Sequence, residues 1–429
     1  MRRRAGAAEP VATVVRPTGY EQVADLLRWA AGEKVAVVPL GGGSGVCGAL
    51  EPGAGEIVLD LGGLDRILAV STIDLVVHAQ AGVNGMALEQ ELNRRGLTLG
   101  HYPSSLPVTT VGGLISTRSS GQESSRYGHI EDMVLGLTVA LADGTILEPR
   151  PGPRSATGPS LHELLIGAEG GLGVVLDAQL RIHRQPEMVI GGGFAFAEVS
   201  GGLEALRAIV QDGVRPLVIR LYDREDTALQ GLDVEGCLMV AASAGPGAVA
   251  RAEWSLVEQV MSAQDGRALG DAAWNHWRDH RFSLSAERML DFLRPPGAYL
   301  DTVEVAAPWS RMPEVYGSIK AALGSAARLV LCHFGHPEEQ GCCAYFTFGG
   351  SAPGEAEAEA AYHAAWTGAM EAALNAGATI SHHHGVGQAR AAWIQREMGG
   401  WWGVWESVRK ALDPGGILNP KALGGRQQR

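Results

Sequence analysis

Four segments in the first half of the sequence combine glycine with small hydroxyl side chains. They are Pro39-Leu40-Gly41-Gly42-Gly43-Ser44-Gly45, Ser104-Ser105-Leu106-Pro107-Val108-Thr109-Thr110-Val111-Gly112-Gly113 with Thr117-Arg118-Ser119-Ser120-Gly121, Tyr127-Gly128-His129-Ile130-Glu131-Asp132-Met133-Val134, and Gly167-Ala168-Glu169-Gly170-Gly171-Leu172-Gly173-Val174-Val175. Such residues leave the backbone accessible, so main-chain groups and hydroxyls can contact a diphosphate and a flat heteroaromatic ring closely. Their concentration in one stretch of the chain favours a nucleotide-cofactor site over four unrelated turns.

The neighbours of the glycine loop, Gly41–Gly45, indicate how it would bind phosphate. A buried strand, Val35–Val38, precedes the loop, and the strand Ile57–Leu61 follows it without an intervening helix. A dinucleotide fingerprint of the GxGxxG kind requires a helix N-terminus directly after the glycines, so this context disfavours a Rossmann fold. Successive main-chain N–H groups can still converge on an anion without a helix. A flexible loop without a ligand is the alternative.

Reactive side chains recur in the second half of the sequence. Tyr345 lies in the strand-like run Ala344–Phe348, and Arg220 lies in an alternating strand, Leu217–Leu221. A buried core tyrosine and a salt-bridged arginine are the structural alternatives for these two residues. His382, His383 and His384 precede Gly385-Val386-Gly387. Three consecutive histidines on a strand cannot all face one metal ion, and no acidic residue follows at ligand spacing, so we expect no metal site.

Hydrophobic periodicity predicts strands and helices in both halves of the chain. The first half is predicted to form a helix capped by Thr18, a helix over Met86–Arg95, and strands over Leu75–Ala79 and Val134–Val139. The second region begins at Val189. Its predicted strands are Gly191–Phe196, Leu217–Leu221, Tyr299–Val305 and Ala344–Phe348, and its predicted helices are Leu203–Val210, Ala248–Ala263 and Ala356–Ala376. Gly245-Pro246-Gly247 and Ser351–Gly354 are predicted loops.

Composition limits the class of protein. The chain has 429 residues, 46% of them hydrophobic, and a formal net charge of −12, which disfavours a broad nucleic-acid or anionic-membrane surface. No stretch approaches the roughly 18 apolar residues of a membrane helix, and the residues after Met1-Arg2-Arg3-Arg4 lack the apolar core of a signal peptide. Five cysteines without CxxC spacing fit a reducing compartment. We therefore expect a cytoplasmic protein that has neither a nucleic-acid partner nor a membrane-spanning segment, and a homodimer is left open.

The four glycine-rich segments, in this order, resemble the FAD domain of the vanillyl-alcohol oxidase/p-cresol methylhydroxylase superfamily. The likeness continues through Pro151–Pro159, a segment similar to one typical of alkyl-dihydroxyacetonephosphate synthases, so it spans residues 14–188. It implies an α+β fold in which a two-part FAD-binding domain of the p-cresol methylhydroxylase type carries an α+β substrate (cap) domain. We expect the FAD-binding domain to comprise residues 1–188, completed by 405–429, and the cap to comprise 189–404.

The resemblance also implies roles for individual residues. Cofactor contacts are expected from Pro39, Leu40, Gly41, Gly42, Gly43, Ser44, Gly45, Ser104, Ser105, Leu106, Thr109, Thr110, Gly112, Gly113, Thr117, Ser119, Ser120, Glu169, Gly170, Gly173, Val174 and Val175. Relatives with covalent flavin carry a histidine in the glycine loop, and this loop has none, so we expect non-covalent FAD. Arg220 matches an activity-essential arginine and Tyr345 a proton-transferring tyrosine. His382, His383 and His384 match active-site histidines that carry protons or contact substrate.

The sequence departs from the synthase pattern where a substrate-contacting arginine is expected. That position aligns with Leu290, although Arg288 and Arg294 are near, and a further basic position aligns with His333. We therefore expect an FAD-dependent oxidoreductase that oxidises a small hydroxylated or amino substrate by hydride transfer to flavin N5. The alternatives are synthase-like exchange of an acyl for an alkyl chain, for which the resemblance implies a flavin adduct, and an FAD-binding protein without turnover.

Overall fold

The computed structural model describes residues 13–149, 152–282 and 292–425. The strands of these residues are β1 (Thr13–Val15), β2 (Val37–Leu40), β3 (Ile57–Asp60), β4 (Ile67–Ser71), β5 (Val76–Gln80), β6 (Leu97–Thr98), β7 (Val134–Ala140), β8 (Ile146–Leu147), β9 (Val174–Arg181), β10 (His183–Arg184), β11 (Met188–Phe196), β12 (Val218–Tyr222), β13 (Cys237–Gly245), β14 (Arg267–Gly270), β15 (Ala298–Pro308), β16 (Leu329–Gly335) and β17 (Gly341–Ser351).

The helices of the described residues alternate with these strands. They are α1 (Tyr20–Glu33), α2 (Gly85–Asn93), α3 (Val111–Ser116), α4 (Ser124–Tyr127), α5 (Ile130–Met133), α6 (Val199–Gln211), α7 (Arg224–Thr227), α8 (Gly247–Ala263), α9 (Ala272–His280), α10 (Met312–Gly324), α11 (Glu355–Asn375), α12 (Ile394–Met398) and α13 (Trp401–Leu412). None of the described helices combines the length and the apolar character needed to cross a membrane.

The described residues divide into two compact units. The first unit comprises residues 13–121, Gly128–Gln185 and 383–425, and the second comprises Gln122–Tyr127 and Pro186–His382. The first unit contains a parallel sheet of order β1-β3-β2, an antiparallel sheet of order β4-β5-β9-β7-β8, and a short β10-β6 pair. The second unit contains one seven-stranded sheet of order β14-β11-β13-β12-β16-β17-β15. This combination of sheets and helices is the α+β fold that the sequence predicts.

The parallel sheet of the first unit presents the glycine loop. β2 ends at Leu40, β3 begins at Ile57, and residues 41–56 form neither helix nor strand, as the sequence predicts. The strand itself lies later than predicted, because it covers Val37–Leu40 in place of Val35–Val38. The carboxyl-terminal chain returns to this strand: Val37 N donates to Ile417 O at 2.7 Å, and Asn419 N donates to Val37 O at 2.9 Å.

Thr18 does not cap α1, so that prediction is wrong. The helix begins at Tyr20 with Gly19 as its extended N-cap residue. The main-chain N–H of Thr18 donates to Gln22 Oε1 at 2.8 Å, so the side chain of Gln22 reaches back past the helix start. The threonine lies one position upstream of the cap for which its residue type is suited.

The seven-stranded sheet of the second unit aligns its polar residues across four neighbouring strands. Its antiparallel register pairs Tyr222 with His333, His333 with Tyr345, and Tyr345 with Glu304. Direct cross-strand partners have Cβ atoms about 4.5–5.5 Å apart, so these side chains are neighbours by register alone. β16 and α10 were not predicted from the sequence, although β16 supplies His333 to this row. Of the predicted loop Gly245-Pro246-Gly247, only Pro246 lies between β13 and α8.

The turn that follows α13 provides a test of how the carboxyl-terminal chain is held. Asp413 is 3% exposed, and its carboxylate accepts from Ile417 N (3.1 Å) and Leu418 N (2.8 Å). We expect Asp413→Ala to lower the free energy of unfolding by roughly 2–4 kcal/mol, because two buried N–H groups lose their acceptor. Thermal and denaturant unfolding would measure the loss. Lys410→Ala, an exposed change on α13, is the matched control, and equal stability of the two variants would contradict this account.

Candidate active site and cofactor site

The glycine loop lies against the second glycine-rich segment within the first unit. A Cβ atom on Gly42 would lie 1.9 Å from Val108 O, and one on Gly41 would lie 2.3 Å from Thr110 Oγ1. Gly43 adopts a positive φ of 65°, which side chains disfavour. The loop therefore requires glycine for close packing as well as for conformation, so any substitution at Gly42 disturbs the fold before it disturbs a ligand.

The outer side of the same loop offers unused hydrogen-bond donors. Within the described part of the chain, the main-chain N–H groups of Gly42, Gly43, Ser44 and Gly45 donate to no other residue. These residues are exposed or half-buried, and a Cβ atom on Gly45 would meet no atom within 4 Å. Clustered main-chain donors with space in front of them suit the oxygen atoms of a diphosphate. The donor set fits the phosphate end of FAD.

The other glycine-rich segments meet the loop inside the first unit. A Cβ atom on Gly170 would lie 3.0 Å from Pro39 Cγ, which places the fourth segment against the first. Gly167 N donates to Ile115 O at 2.9 Å, which joins the fourth segment to α3 of the second. Ile130 N donates to Ser119 O at 3.2 Å, which joins the third segment to the second. The structure thus brings all four segments together.

The remaining predicted cofactor residues surround α3 and begin β9. Ser104, Ser105 and Leu106 form the turn before α3, and Thr109 and Thr110 are buried at its start. Thr110 caps α3 by accepting from Gly113 N at 3.4 Å, and Thr117 Oγ1 donates to Gly113 O at 3.0 Å. Gly112 packs against Ala81, and Gly173 precedes Val174 and Val175 at the start of β9.

Two histidines that were not predicted as site residues hold the predicted serines. The ring of His101 bonds through Nε2 to Ser119 Oγ at 3.2 Å, and His129 bonds through Nδ1 to Ser120 Oγ at 2.6 Å. Burial lowers the pKa of His101 to about 3, so this ring is neutral at neutral pH. Ser119 and Ser120 are therefore fixed by neighbours within the unit.

The carboxylate of Glu169 holds the chain that follows the three histidines. It accepts from Val386 N at 2.7 Å, from Gly387 N at 3.0 Å and from Leu423 N at 3.0 Å. Burial raises the pKa of Glu169, while these main-chain donors and Arg390 oppose that rise. Its carboxylate thus joins the histidine segment to the carboxyl-terminal chain within the first unit, and a contact of Glu169 with the cofactor stays a prediction.

Arg220 contacts His333 and Tyr345, the two central members of the polar row in the second unit. Arg220 Nη2 donates to His333 Nε2 at 3.0 Å, which leaves the Nδ1 proton of His333 to bond Asp226 Oδ2 at 3.1 Å. Burial lowers the pKa of His333, so this histidine does not add a positive charge to that of Arg220. The guanidinium carbon of Arg220 lies 5.9 Å from the centre of the Tyr345 ring.

Tyr345 is the most deeply enclosed of the predicted catalytic residues. Its ring stacks on His333 at 4.6 Å between centroids, and its hydroxyl bonds His336 Nε2 at 2.7 Å. Burial raises the pKa of Tyr345 well above its usual value of 10, so the phenol keeps its proton at neutral pH. The site therefore holds a neutral proton donor beside a permanent cation.

The three predicted histidines are placed by different neighbours. His382 belongs to the second unit, where its main-chain N–H donates to Glu304, whose other oxygen accepts from Ser381 Oγ at 2.9 Å. The ring of His382 stacks on His336 at 5.3 Å. His383 and His384 belong to the first unit, and their rings contact each other edge to face at 4.6 Å.

Sequence reasoning missed His336, Ser124 and Glu304 as members of the site. Glu304 interrupts the apolar strand β15 and is 0% exposed, and a charged residue inside an apolar strand is a readable signal of a specific partner. His336 directly follows β16, three residues after His333. Of the arginines considered as replacements at the Leu290 position, Arg294 is exposed, and Leu290 and Arg288 lie outside the described residues.

Comparison with known proteins assigns both halves of the chain to families and finds relatives along nearly its whole length. Residues 11–149 match the family described as FAD binding domain, and residues 185–423 match the family described as FAD linked oxidases, C-terminal domain. Alkyldihydroxyacetonephosphate synthase of Dictyostelium discoideum is 30% identical over 96% of this chain and 72% of its own. The uncharacterized FAD-linked oxidoreductase YgcU of Escherichia coli (strain K12) is 30% identical over 95% and 88%. The mitochondrial D-lactate dehydrogenase [cytochrome] of Arabidopsis thaliana is 26% identical over 96% and 73%.

Solved structures agree with these sequence relatives. A structure of alkyldihydroxyacetonephosphate synthase superposes with a TM-score of 0.79 at 25% identity, covering 96% of this chain and 76% of its own. A p-cresol methylhydroxylase structure superposes with a TM-score of 0.78 at 14% identity over 96% and 88%, which establishes the fold alone. The chain therefore belongs to the FAD-linked oxidase family, with the p-cresol methylhydroxylase type of fold, and is an FAD-dependent enzyme.

Proposed function

We propose that this enzyme oxidises a small hydroxylated or amino substrate that carries one carboxylate, such as a 2-hydroxy acid. The observation that carries this proposal is the environment of Arg220. This arginine is half-buried, it lies beside Tyr345, and among the described residues no carboxylate pairs with it. A half-buried guanidinium without an acidic partner is suited to bind an anion, and its planar donors match a carboxylate.

The charge around Arg220 argues for a monoanion over a phosphate dianion. His333, the neighbour that could have added a second cation, has a lowered pKa and accepts a hydrogen bond from Arg220. Burying a phosphate dianion requires at least two cationic donors, because an uncompensated buried charge costs several kcal/mol. One guanidinium balances one carboxylate. The D-lactate dehydrogenase relative acts, by its name, on a substrate of this class.

Tyr345 would take the proton that the substrate hydroxyl or amine loses during the reaction. Bound FAD supplies the acceptor for the hydride that leaves the substrate carbon, at flavin N5. Arg220 would hold the substrate carboxylate, which fixes the reacting hydroxyl or amine toward the phenol oxygen. His382, His383 and His384 would contact the substrate or carry protons. The chain's own residues would thus receive only the proton.

The predicted cofactor residues carry the FAD in this proposal. The unpaired N–H groups of the glycine loop would bind the diphosphate, with FAD held non-covalently because the loop contains no histidine. The assignment of residues 1–188 with 405–429 to the FAD-binding domain and 189–404 to the cap is part of the proposal, as is a cytoplasmic location. All five cysteines are buried and outside disulfides, which is compatible with a reducing compartment.

Exchange of an acyl for an alkyl chain is the second candidate. The 30% identity to the Dictyostelium synthase over 96% of this chain favours it, together with Arg220, Tyr345 and the three histidines. It requires a phosphorylated substrate and therefore a second cation, and His333, which bonds Arg220, does not supply one because its pKa is lowered.

The cofactor placement is testable at Gly45. Gly45→Asp should lose FAD, because a carboxylate would stand where the diphosphate meets the free N–H groups, whereas the open space at this position tolerates a Cβ atom. Gly45→Ala, which adds the Cβ atom without charge, should keep FAD. Flavin released by acid precipitation of each purified variant gives the stoichiometry. Equal FAD in both variants, or flavin that stays on the precipitate, would overturn the placement or the non-covalent attachment.

The role of Tyr345 is testable by removing one oxygen atom. Tyr345→Phe should keep the flavin spectrum and slow substrate-dependent flavin reduction by about 10²-fold or more, as general acid–base groups typically contribute ~10²–10⁴-fold. Anaerobic stopped-flow absorbance measures this rate. Tyr299→Phe, at another buried tyrosine of the second unit, is the matched control. A loss smaller than about threefold would remove Tyr345 from the mechanism.

The substrate class separates the two candidate functions. Under anaerobic conditions, small 2-hydroxy acids or related amines should bleach the flavin, and acyl-dihydroxyacetonephosphate should not. Arg220→Gln should weaken binding of the productive substrate far more than binding of its neutral amide analogue, because the lost interaction is with the carboxylate. Bleaching by acyl-dihydroxyacetonephosphate, followed by ether product on addition of a fatty alcohol, would reject oxidation and establish exchange.

A further inference from the structure

We propose that Ser124, His336 and Tyr345 form a buried proton relay in which His336 receives the proton that Tyr345 releases as it takes one from the substrate. This inference rests on the proposed role of Tyr345 and deepens it. Ser124 Oγ bonds His336 Nδ1 at 2.7 Å, and His336 Nε2 bonds the Tyr345 hydroxyl at 2.7 Å. All three residues are buried.

The backbone at His336 supports a specific role for this ring. His336 directly follows β16 and has a φ of 49°, in the left-handed region that only a few per cent of non-glycine residues adopt, histidine more often than most. Residues persist in such conformations when their surroundings fix them, and they concentrate at active sites. This conformation turns the chain at the end of the strand and directs the imidazole between Ser124 and Tyr345.

Ser124 reaches the second unit through a short segment that two ion pairs fasten. Gln122–Tyr127 belongs to this unit although its neighbours in sequence belong to the other. Arg281 Nη1 pairs with Glu123 Oε1 at 3.0 Å, and Arg126 Nη1 pairs with Glu253 Oε2 at 3.0 Å. The residues on both sides of Ser124 are therefore held, and the hydroxyl has a fixed direction toward the imidazole.

The relay answers a difficulty in using Tyr345 alone. A phenol whose pKa is raised by burial cannot accept a proton without releasing its own. In the relay, the substrate O–H or N–H bond breaks, its proton joins the Tyr345 oxygen, and the original phenol proton moves to His336 Nε2. His336 becomes an imidazolium whose Nδ1 proton donates to Ser124 Oγ. The electron pair leaves with the hydride, so the relay carries one proton and no electrons.

His336 acts through Tyr345, so it is a positioning residue in this scheme, and its ring nitrogens give a direct readout. In protein labelled with ¹⁵N-histidine, the His336 signals are assigned by their loss in His336→Asn, since asparagine tolerates a left-handed φ. Tyr345→Phe should shift the Nε2 signal, and Ser124→Ala should shift the Nδ1 signal. Neither change should move His363, which lies exposed on α11. Unchanged His336 signals in both variants would reject the relay without any substrate.

The kinetic test measures proton acceptance. His336→Asn should keep FAD content, slow flavin reduction by about 10²-fold, and recover part of that rate with added imidazole. The wild-type rate of flavin reduction should rise with pH as His336 loses its proton. This rising limb of the pH–rate profile should vanish in His336→Asn. Other ionisable groups also face these rings: Arg220, His333, Glu304, Cys343 and His382. The rise with pH is therefore assigned to His336 only if it disappears in His336→Asn, and its survival in His363→Asn shows that an exposed histidine does not cause it.

The outcomes separate the relay from the proposed function. A slow Tyr345→Phe with a fast His336→Asn removes the relay and leaves the role of Tyr345 intact. A fast Tyr345→Phe removes both. If His336→Asn does not fold, Ser124→Ala decides: a pH profile and ring signals identical to wild type would overturn the relay, and a displaced pH limb with a shifted Nδ1 signal would support it.

Discussion

Two buried carboxyl groups hold the segment that contains the three predicted site histidines. Glu304 and Glu169 are 0% and 5% exposed, and each satisfies its charge with hydrogen bonds that include main-chain N–H groups. Glu304 binds the chain at Ser381 and His382, and Glu169 binds it at Val386 and Gly387. The residues between them form neither helix nor strand. A segment that has no secondary structure of its own is therefore held at both ends by hydrogen bonds to buried carboxyl groups, which would be costly to bury without partners.

How much of this could be read from the sequence depends on the range of the contact. The glycine loop between two strands, the alternation around Arg220 and Tyr345, and the FAD family were accessible, because each rests on local patterns or on ordered motifs. The cross-strand row was not, because register pairs residues that are distant in sequence, such as Tyr222 with His333. Ser124 was hidden for the same reason, since it lies among predicted cofactor residues and yet belongs to the second unit.

Charge is the criterion on which we propose oxidation over exchange. The fold and the FAD-binding segments are compatible with both oxidation and exchange, so neither distinguishes them. What distinguishes them is the number of cations that a substrate anion would meet. His333 is kept neutral by burial and by the proton of Arg220, while Asp226 holds its other nitrogen. Of this pair, only Arg220 carries a positive charge, and in the proposed function a substrate with one carboxylate compensates it.

Burial keeps the Tyr345 phenol protonated, and it also prevents the phenol from acting as a base by itself. Enclosure by the sheet raises the pKa of the phenol and keeps it protonated, so it can orient a substrate without repelling an anion. The same enclosure prevents it from acting as a base unless a second group takes its proton at the same moment. His336 is in contact with that oxygen, and a histidine can exchange a proton near neutral pH. In the proposed relay these two demands fall on different residues: Tyr345 would meet the substrate as a neutral phenol, and His336 would accept the proton while bonded to Ser124.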